Sequence, residues 1–317
     1  MTKNISSQKN LERSTNPISA HFAVVSSNRS VLYAASWLSK TDASIVGAPS
    51  IKHAAELKKK PTAILVAGDT VSDREIKGID MPVIFFWDFE VGQPGIGAFA
   101  SAVSGVSSVI GKAESAPGIL PVHMPEQWAG IFGASLALGL LFDQPNQEKV
   151  MPNRIDVSAA DILRAFAEQN SGNHAGVPYG WRRNGLTAVE HGGVFPQGFF
   201  QCKDGYVAVQ ARSRQDWMAI LSAFDNPKWS EAKTMQNPFK LSEDDSEVLP
   251  YFQSELDKRT MVELLDLALL NGAPMAPVLS TPEAVSSEIF RDGFVNANGS
   301  LNLPFIIKRL QNDVQSW

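Results

Sequence analysis

The sequence predicts an α/β fold, a parallel doubly wound sheet followed by a smaller α+β unit. Three observations carry that prediction. Short apolar runs alternate with helical stretches before Asn153, a hairpin signal surrounds Lys203-Asp204-Gly205, and the chain of 317 residues, 44% of them hydrophobic, is long enough to bury a large core. Strands at this spacing with helices between them favour a parallel sheet.

The elements follow in order. Phe22 to Val25 reads as a strand, Ser26 to Ser30 as its loop, and Val31 to Leu38 as an apolar periodic helix. Ser44 to Val46, Ala63 to Val66 and Val83 to Phe86 are the next strands, with a short helix over Ile51 to Lys60. Ala98 to Ile110 and Ala129 to Phe142 read as helices, and Pro117, Pro121 and Pro125 punctuate the stretch between them. The apolar run from Ala129 is too short to span a bilayer, which takes about 20 residues. A strand-to-helix step at Ile155 to Ser158 leads into a helix over Asp161 to Asn170, followed by a long loop to Gly193.

The hairpin comes next, with strands at Phe199 to Gln201 and Tyr206 to Gln210. A helix over Arg214 to Phe224, a polar loop over Asp225 to Asp245, helices at Leu249 to Leu256 and Thr260 to Asn271, and a Pro-flanked strand at Met275 to Leu279 complete the smaller unit. The expected domains are a loose arm over residues 1–20, a large domain over 21–193, a small α+β domain over 194–290 and a returning segment over 291–317.

Charge and cysteine content narrow the function classes. With 28 basic and 33 acidic residues the net charge is -5, which disfavours nucleic-acid binding by phosphate neutralisation. The single cysteine, Cys202, excludes an intramolecular disulfide and suits a reducing, cytoplasmic compartment. It alternates into an apolar strand and reads as an inert buried thiol. The polar amino terminus lacks the apolar core of a secretory signal, and no membrane association is expected. The sequence carries no metal-ligand spacing, Walker loop, dinucleotide fingerprint or nucleophile elbow. Gly92-Gln93-Pro94-Gly95-Ile96-Gly97, with a proline within it, only superficially resembles a phosphate loop.

Ile155-Asp156-Val157-Ser158, then Arg182-Arg183, then the segment FPQGFFQCKDGYVAV from Phe195 to Val209, then Gly272-Ala273-Pro274-Met275-Ala276-Pro277-Val278 occur in a distinctive order. In these motifs the chain resembles the class III CoA-transferases, the family of formyl-CoA and carnitine CoA-transferases. The resemblance covers roughly Phe22 to Phe294 and is stronger after Gln127. It implies a Rossmann-like large domain, a small domain and two chains interlocked as a homodimer, with this chain a shortened, divergent member lacking the usual carboxyl-terminal segment.

The resemblance also implies a reaction. Family members move CoA from an acyl-CoA to a small carboxylic acid through an aspartate that opens a long apolar helix. The matching step here is Pro125-Glu126-Gln127-Trp128-Ala129-Gly130, so Glu126 stands in the aspartate's place as nucleophile. As a plain sequence feature, Pro125-Glu126 equally suits the start of a helix, with proline in the first turn and an acid near the positive end of the dipole. Gly192 and Gly193 match a glycine-rich flap over the reacting thioester, with His191 before them. Arg182 and Arg183 match the family's arginine step, and Asn28, Arg29 and Ser30 after the first strand are the candidate contacts for the nucleotide of CoA. His123 is a candidate for proton transfer.

The cations that usually hold CoA phosphates after the second and third strands are replaced by Gly47-Ala48-Pro49-Ser50 and Ala67-Gly68-Asp69-Thr70. That departure supports an alternative, a catalytically degenerate paralogue or half of a tandem protein with a binding or assembly role. Acyl-CoA racemase chemistry ranks below both, because Ala98 to Gly105 contains no histidine.

Overall fold

The computed structural model describes residues 20–41, 43–111, 114–141, 153–168 and 194–286. The chain divides into two compact units, one drawn from residues up to Gly105 with Ile119–Phe166, the other from Val106–Gly118 and the described residues beyond Phe166.

In the first unit, strands β1 (His21–Val24), β2 (Ser44–Gly47), β3 (Ala63–Ala67), β4 (Val83–Trp87) and β5 (Arg154–Ser158) form one parallel sheet in the order β2-β1-β3-β4-β5. Every residue of β3 and β4 is buried, as expected of inner strands covered on both faces. The edge strands are more polar. In β5, Arg154 clamps Asp156 through Nε and Nη2, both at 2.8 Å, and lies over the Phe85 ring of β4.

Helix α1 (Arg29–Ser39) follows β1, α2 (Ile51–Ala55) follows β2 and α3 (Asp73–Ile76) follows β3. After β4 come α4 (Gly97–Val103) and the longest helix of the unit, α5 (Met124–Gly139); α6 (Ala159–Glu168) continues directly from β5. Glycines set how α5 packs. A Cβ at Gly130 would come within 2.9 Å of both the Ser30 carbonyl and the Ala34 nitrogen of α1, and one at Gly133 would enter the Phe86 ring. Helix α5 therefore lies against α1 and β4 at a separation only glycine permits.

The second unit is a three-stranded antiparallel sheet, β6 (Gln197–Gln201), β7 (Tyr206–Gln210) and β8 (Met275–Pro277), with helices α7 (Arg214–Ala223), α8 (Pro238–Glu243), α9 (Leu249–Asp257), α10 (Met261–Asn271) and α11 (Thr281–Ser286). Its core is aromatic. Phe252 makes edge contacts with Phe195 at 5.4 Å and Phe200 at 5.1 Å, and the buried Trp217 donates Nε1–H to the Met235 carbonyl at 2.9 Å.

The predicted class is what the structure shows: a Rossmann-like parallel sheet plus a small α+β unit. Several elements differ: the helix expected from Ala129 starts at Met124, the strand expected to Leu279 ends at Pro277, and α3 and α11 have no counterpart among the predicted elements. The expected helix over Ala98–Ile110 stops at Val103, because Gly105 turns the chain with φ at +88°, and a 3-10 turn over Val106–Val109 follows. The Ile51–Lys60 helix ends at Ala55. The polar stretch read as loop over Asp225–Asp245 contains α8, which begins at Pro238 and buries Leu241.

Candidate active site

Helix α5 opens at His123, whose backbone is left-handed with φ at +68°, and Pro125 and Glu126 lie in its first turn. An acid here interacts favourably with the positive end of the helix dipole. Glu126 nevertheless does not face water: the residue is 2% exposed. Its Oε1 accepts the Gly97 backbone N–H at 2.9 Å, and His123 Nδ1 lies 3.7 Å from the same oxygen. The other oxygen, Oε2, is buried without a hydrogen-bond partner among the described residues. A buried carboxyl oxygen left unpartnered is costly, so it calls for a partner from outside the described protein atoms, such as a water or a ligand.

Gly97 reaches this position through the turn that precedes α4. Gly92 has φ at +77°, the Phe89 side chain lies against Gly95, and Phe89 meets Phe99 edge-on at 5.9 Å. The turn thus brings the first residue of α4 to the carboxyl group of a helix that starts 27 residues later in sequence. The glycine stretch from Gly92 carries part of the site that its motif alone did not reveal.

The carboxyl ends of the strands form a second focus, since ligands of doubly wound sheets bind there. The polar groups at these ends are paired with one another. Ser26 Oγ accepts the Ala67 N–H at 2.9 Å and lies 2.5 Å from the Thr70 hydroxyl, joining the loops after β1 and β3. Asn28 donates Nδ2–H to the Phe86 carbonyl at 2.7 Å, while its Oδ1 accepts the Val31 N–H at 3.0 Å and caps α1. Ser30 is fully buried and gives both its N–H and its hydroxyl to Asp88 Oδ1, at 3.0 and 2.6 Å. Asp88 Oδ2 accepts the Arg29 N–H at 3.2 Å. The amino terminus of α1 is thereby closed by a carboxylate of the chain itself.

Of the candidate nucleotide contacts, Asn28 and Ser30 therefore spend their hydrogen bonds inside the fold. The Arg29 side chain is exposed and makes no ion pair among the described residues, and Asp69 is exposed as well. Arg182, Arg183, His191, Gly192 and Gly193 lie outside the described residues. Cys202 is buried, and that burial pushes its thiol pKa up, away from the reactive thiolate. Among the described residues, none of the His, Cys, Asp and Glu side chains group in a way that can hold a metal, and no helix is long and apolar enough to cross a membrane.

Residues 90–298 match the profile of CoA-transferase family III. This span includes Glu126, Gly97 and the whole second unit. Among solved structures, the chain is similar to a CAIB/BAIF family protein from Brucella suis at a TM-score of 0.73 and 11% identity, covering 92% of each chain. It is similar to the hypothetical protein Rv3272 from Mycobacterium tuberculosis at a TM-score of 0.65 and 14% identity, covering 86% of each. At these identities the likeness is one of fold. No curated protein matches the sequence.

Proposed function

Because the chain belongs to CoA-transferase family III, we propose that it moves CoA from an acyl-CoA to a small carboxylic acid through a thioester formed on Glu126. The observation that carries this reading is the Glu126 carboxyl group, held by Gly97 on one oxygen and, among the described residues, unpartnered on the other. The Glu126 carboxylate attacks the acyl-CoA carbonyl and expels CoA thiolate, leaving a mixed anhydride. The thiolate then attacks the glutamyl carbonyl, releasing the donor acid and forming a glutamyl-CoA thioester. An incoming carboxylate repeats the sequence in reverse, so CoA leaves on the acceptor and Glu126 is regenerated. The reaction needs no net proton transfer. His123 Nδ1, 3.7 Å from Oε1, lies close enough to orient the carboxylate.

Gly192 and Gly193 supply the flap over the thioester in this reading, and Arg29 and Arg182 the cations for the CoA phosphates. The self-paired groups Asn28, Ser30 and Asp88 leave Arg29 as the one candidate contact after β1 whose side chain is free among the described residues. Weak CoA affinity is the expected consequence. Incubation with acyl-CoAs at millimolar concentration, trapping with hydroxylamine or borohydride, and peptide mass spectrometry should mark Glu126 and no other carboxylate. Absence of an adduct across short-chain and dicarboxylic acyl-CoAs, with no detectable CoA binding, would leave the second reading standing. That reading is a catalytically degenerate paralogue or half of a tandem protein with a binding or assembly role, and it is favoured by the Asp88 carboxylate seated on the amino terminus of α1.

A further inference from the structure

The geometry points to Gly97 as a positioning residue for Glu126, matched in size to the glutamate; this rests on the reading of Glu126 as the group that accepts CoA. Two observations meet at one residue. The Gly97 N–H holds Glu126 Oε1 at 2.9 Å, and a Cβ placed on Gly97 would overlap both Oε2 and Cδ of the same side chain. The carboxyl group therefore lies directly against the Gly97 Cα, in space that any other residue would fill. Glutamate reaches one methylene further than the aspartate of the sequence pattern, and the missing side chain at 97 gives that extra length somewhere to go. The backbone N–H then fixes the rotation of the carboxyl group, which sets which oxygen is left for attack.

The backbone around Gly97 is held firmly enough to impose this geometry. Phe99 and Ala100 both donate N–H to the Ile96 carbonyl, at 2.9 and 3.4 Å, closing the first turn of α4, and Ser101 of the same helix is buried. A side chain at 97 thus cannot be absorbed by a small shift of a loose loop, so it must displace Glu126. Misplacement of a reacting group by about 1 Å costs on the order of 100-fold in rate.

The test is a double-mutant cycle over Gly97→Ala, Glu126→Asp and the pair together, read by the rate of adduct formation at residue 126 and by the urea midpoint of each protein. Gly97→Ala should slow adduct formation by about 100-fold, and Glu126→Asp should slow it by losing the Gly97 N–H. The double variant should recover at least about tenfold over Gly97→Ala, because the shorter acid withdraws from the new methyl. Its urea midpoint should likewise lie above that of Gly97→Ala. A Gly97→Ala protein that forms the adduct at the wild-type rate overturns the inference while leaving the proposed function intact. If the wild-type protein forms no adduct, the proposed function fails instead, and the midpoints decide the pairing: additive losses overturn it, and recovery in the double variant upholds it. Should Gly97→Ala fail to fold, a folded double variant supports the pairing and an unfolded one overturns it.

Discussion

Asp88 and Ser30, 58 residues apart in sequence, are joined by two hydrogen bonds to a single carboxylate oxygen, at 3.0 Å from the backbone N–H and 2.6 Å from the hydroxyl. The second oxygen takes the Arg29 N–H. Together they satisfy two of the free donors at the start of α1 and tie the end of β4 to it. Asp88→Ala should therefore destabilise the protein by about 1–2 kcal/mol. Asp88→Asn, which keeps an acceptor and loses the charge, should cost less. The same Asn variant should bind CoA more tightly than wild type, since an anion at this helix end opposes phosphate. Urea unfolding and calorimetric titration check the two expectations, and an Ala variant as stable as wild type would contradict the first.

A second expectation concerns acid stability. Burial of Glu255 acts to raise its pKa, but the hydrogen bonds from Arg259 and Lys258, each at 2.9 Å, outweigh that effect and hold it below the ordinary value of 4.5. A lowered pKa in the folded state contributes stability that is fully present above the unfolded value and is lost as pH falls through the folded one. Glu255→Gln should cost about 1–3 kcal/mol at neutral pH. The deficit should shrink as pH drops below 4.5. Unfolding curves at neutral pH and near pH 3 measure it, and a deficit independent of pH would show that the charge is not the cause.

The sequence made the sheet legible because β3 and β4 are uninterrupted apolar runs, and made the β6–β7 hairpin legible because Lys203-Asp204-Gly205 allows a turn between alternating strands. What it hid were long-range pairings. Asn28 and Ser30 offer the polar groups expected of a ligand loop, and nothing near them reveals that the Phe86 carbonyl and Asp88 take those groups up. An aspartate directly after the apolar run ending at Trp87 was the one available signal, since that is where a parallel strand meets the helix ends. Glu126 was legible only by family resemblance, because Pro-Glu at a helix start is common. Gly97 was missed because its partner lies 29 residues on.

Helix α5 should tolerate no side chain at its buried glycines. Gly130→Ala brings a methyl against the α1 backbone, and Gly133→Ala brings one into the Phe86 ring; neither a helix backbone nor a buried aromatic yields readily. Each should destabilise by about 1–3 kcal/mol despite the better helix propensity of alanine. Gly139→Ala, at the exposed end of the same helix with nothing within 4 Å, should be neutral or slightly stabilising. The contrast between the three midpoints is the measurement, and equal effects would mean that α5 does not pack as described.

The outward face of α5 bears on assembly. Ile131, Phe132 and Leu136 all keep exposed surface on it, Phe132 also meeting Phe166 of α6 edge-on at 6.0 Å, along one side of a helix whose opposite side is buried against α1 and β4. An apolar strip of this kind on a long helix favours coverage by another surface. Membership of a family whose resemblance implies interlocked chains makes a second copy the expected cover. We therefore expect a homodimer, and expect Phe132→Asp to block assembly, because burying an unpaired carboxylate is costly. Interlocked chains cannot separate without unfolding, so the variant should lower the yield of folded protein in preference to releasing a stable monomer. Sedimentation of the wild-type protein at micromolar concentration decides the first point. A folded, monodisperse monomer there would remove the dimer and, with it, the reason for expecting Phe132→Asp to behave differently from an ordinary surface change.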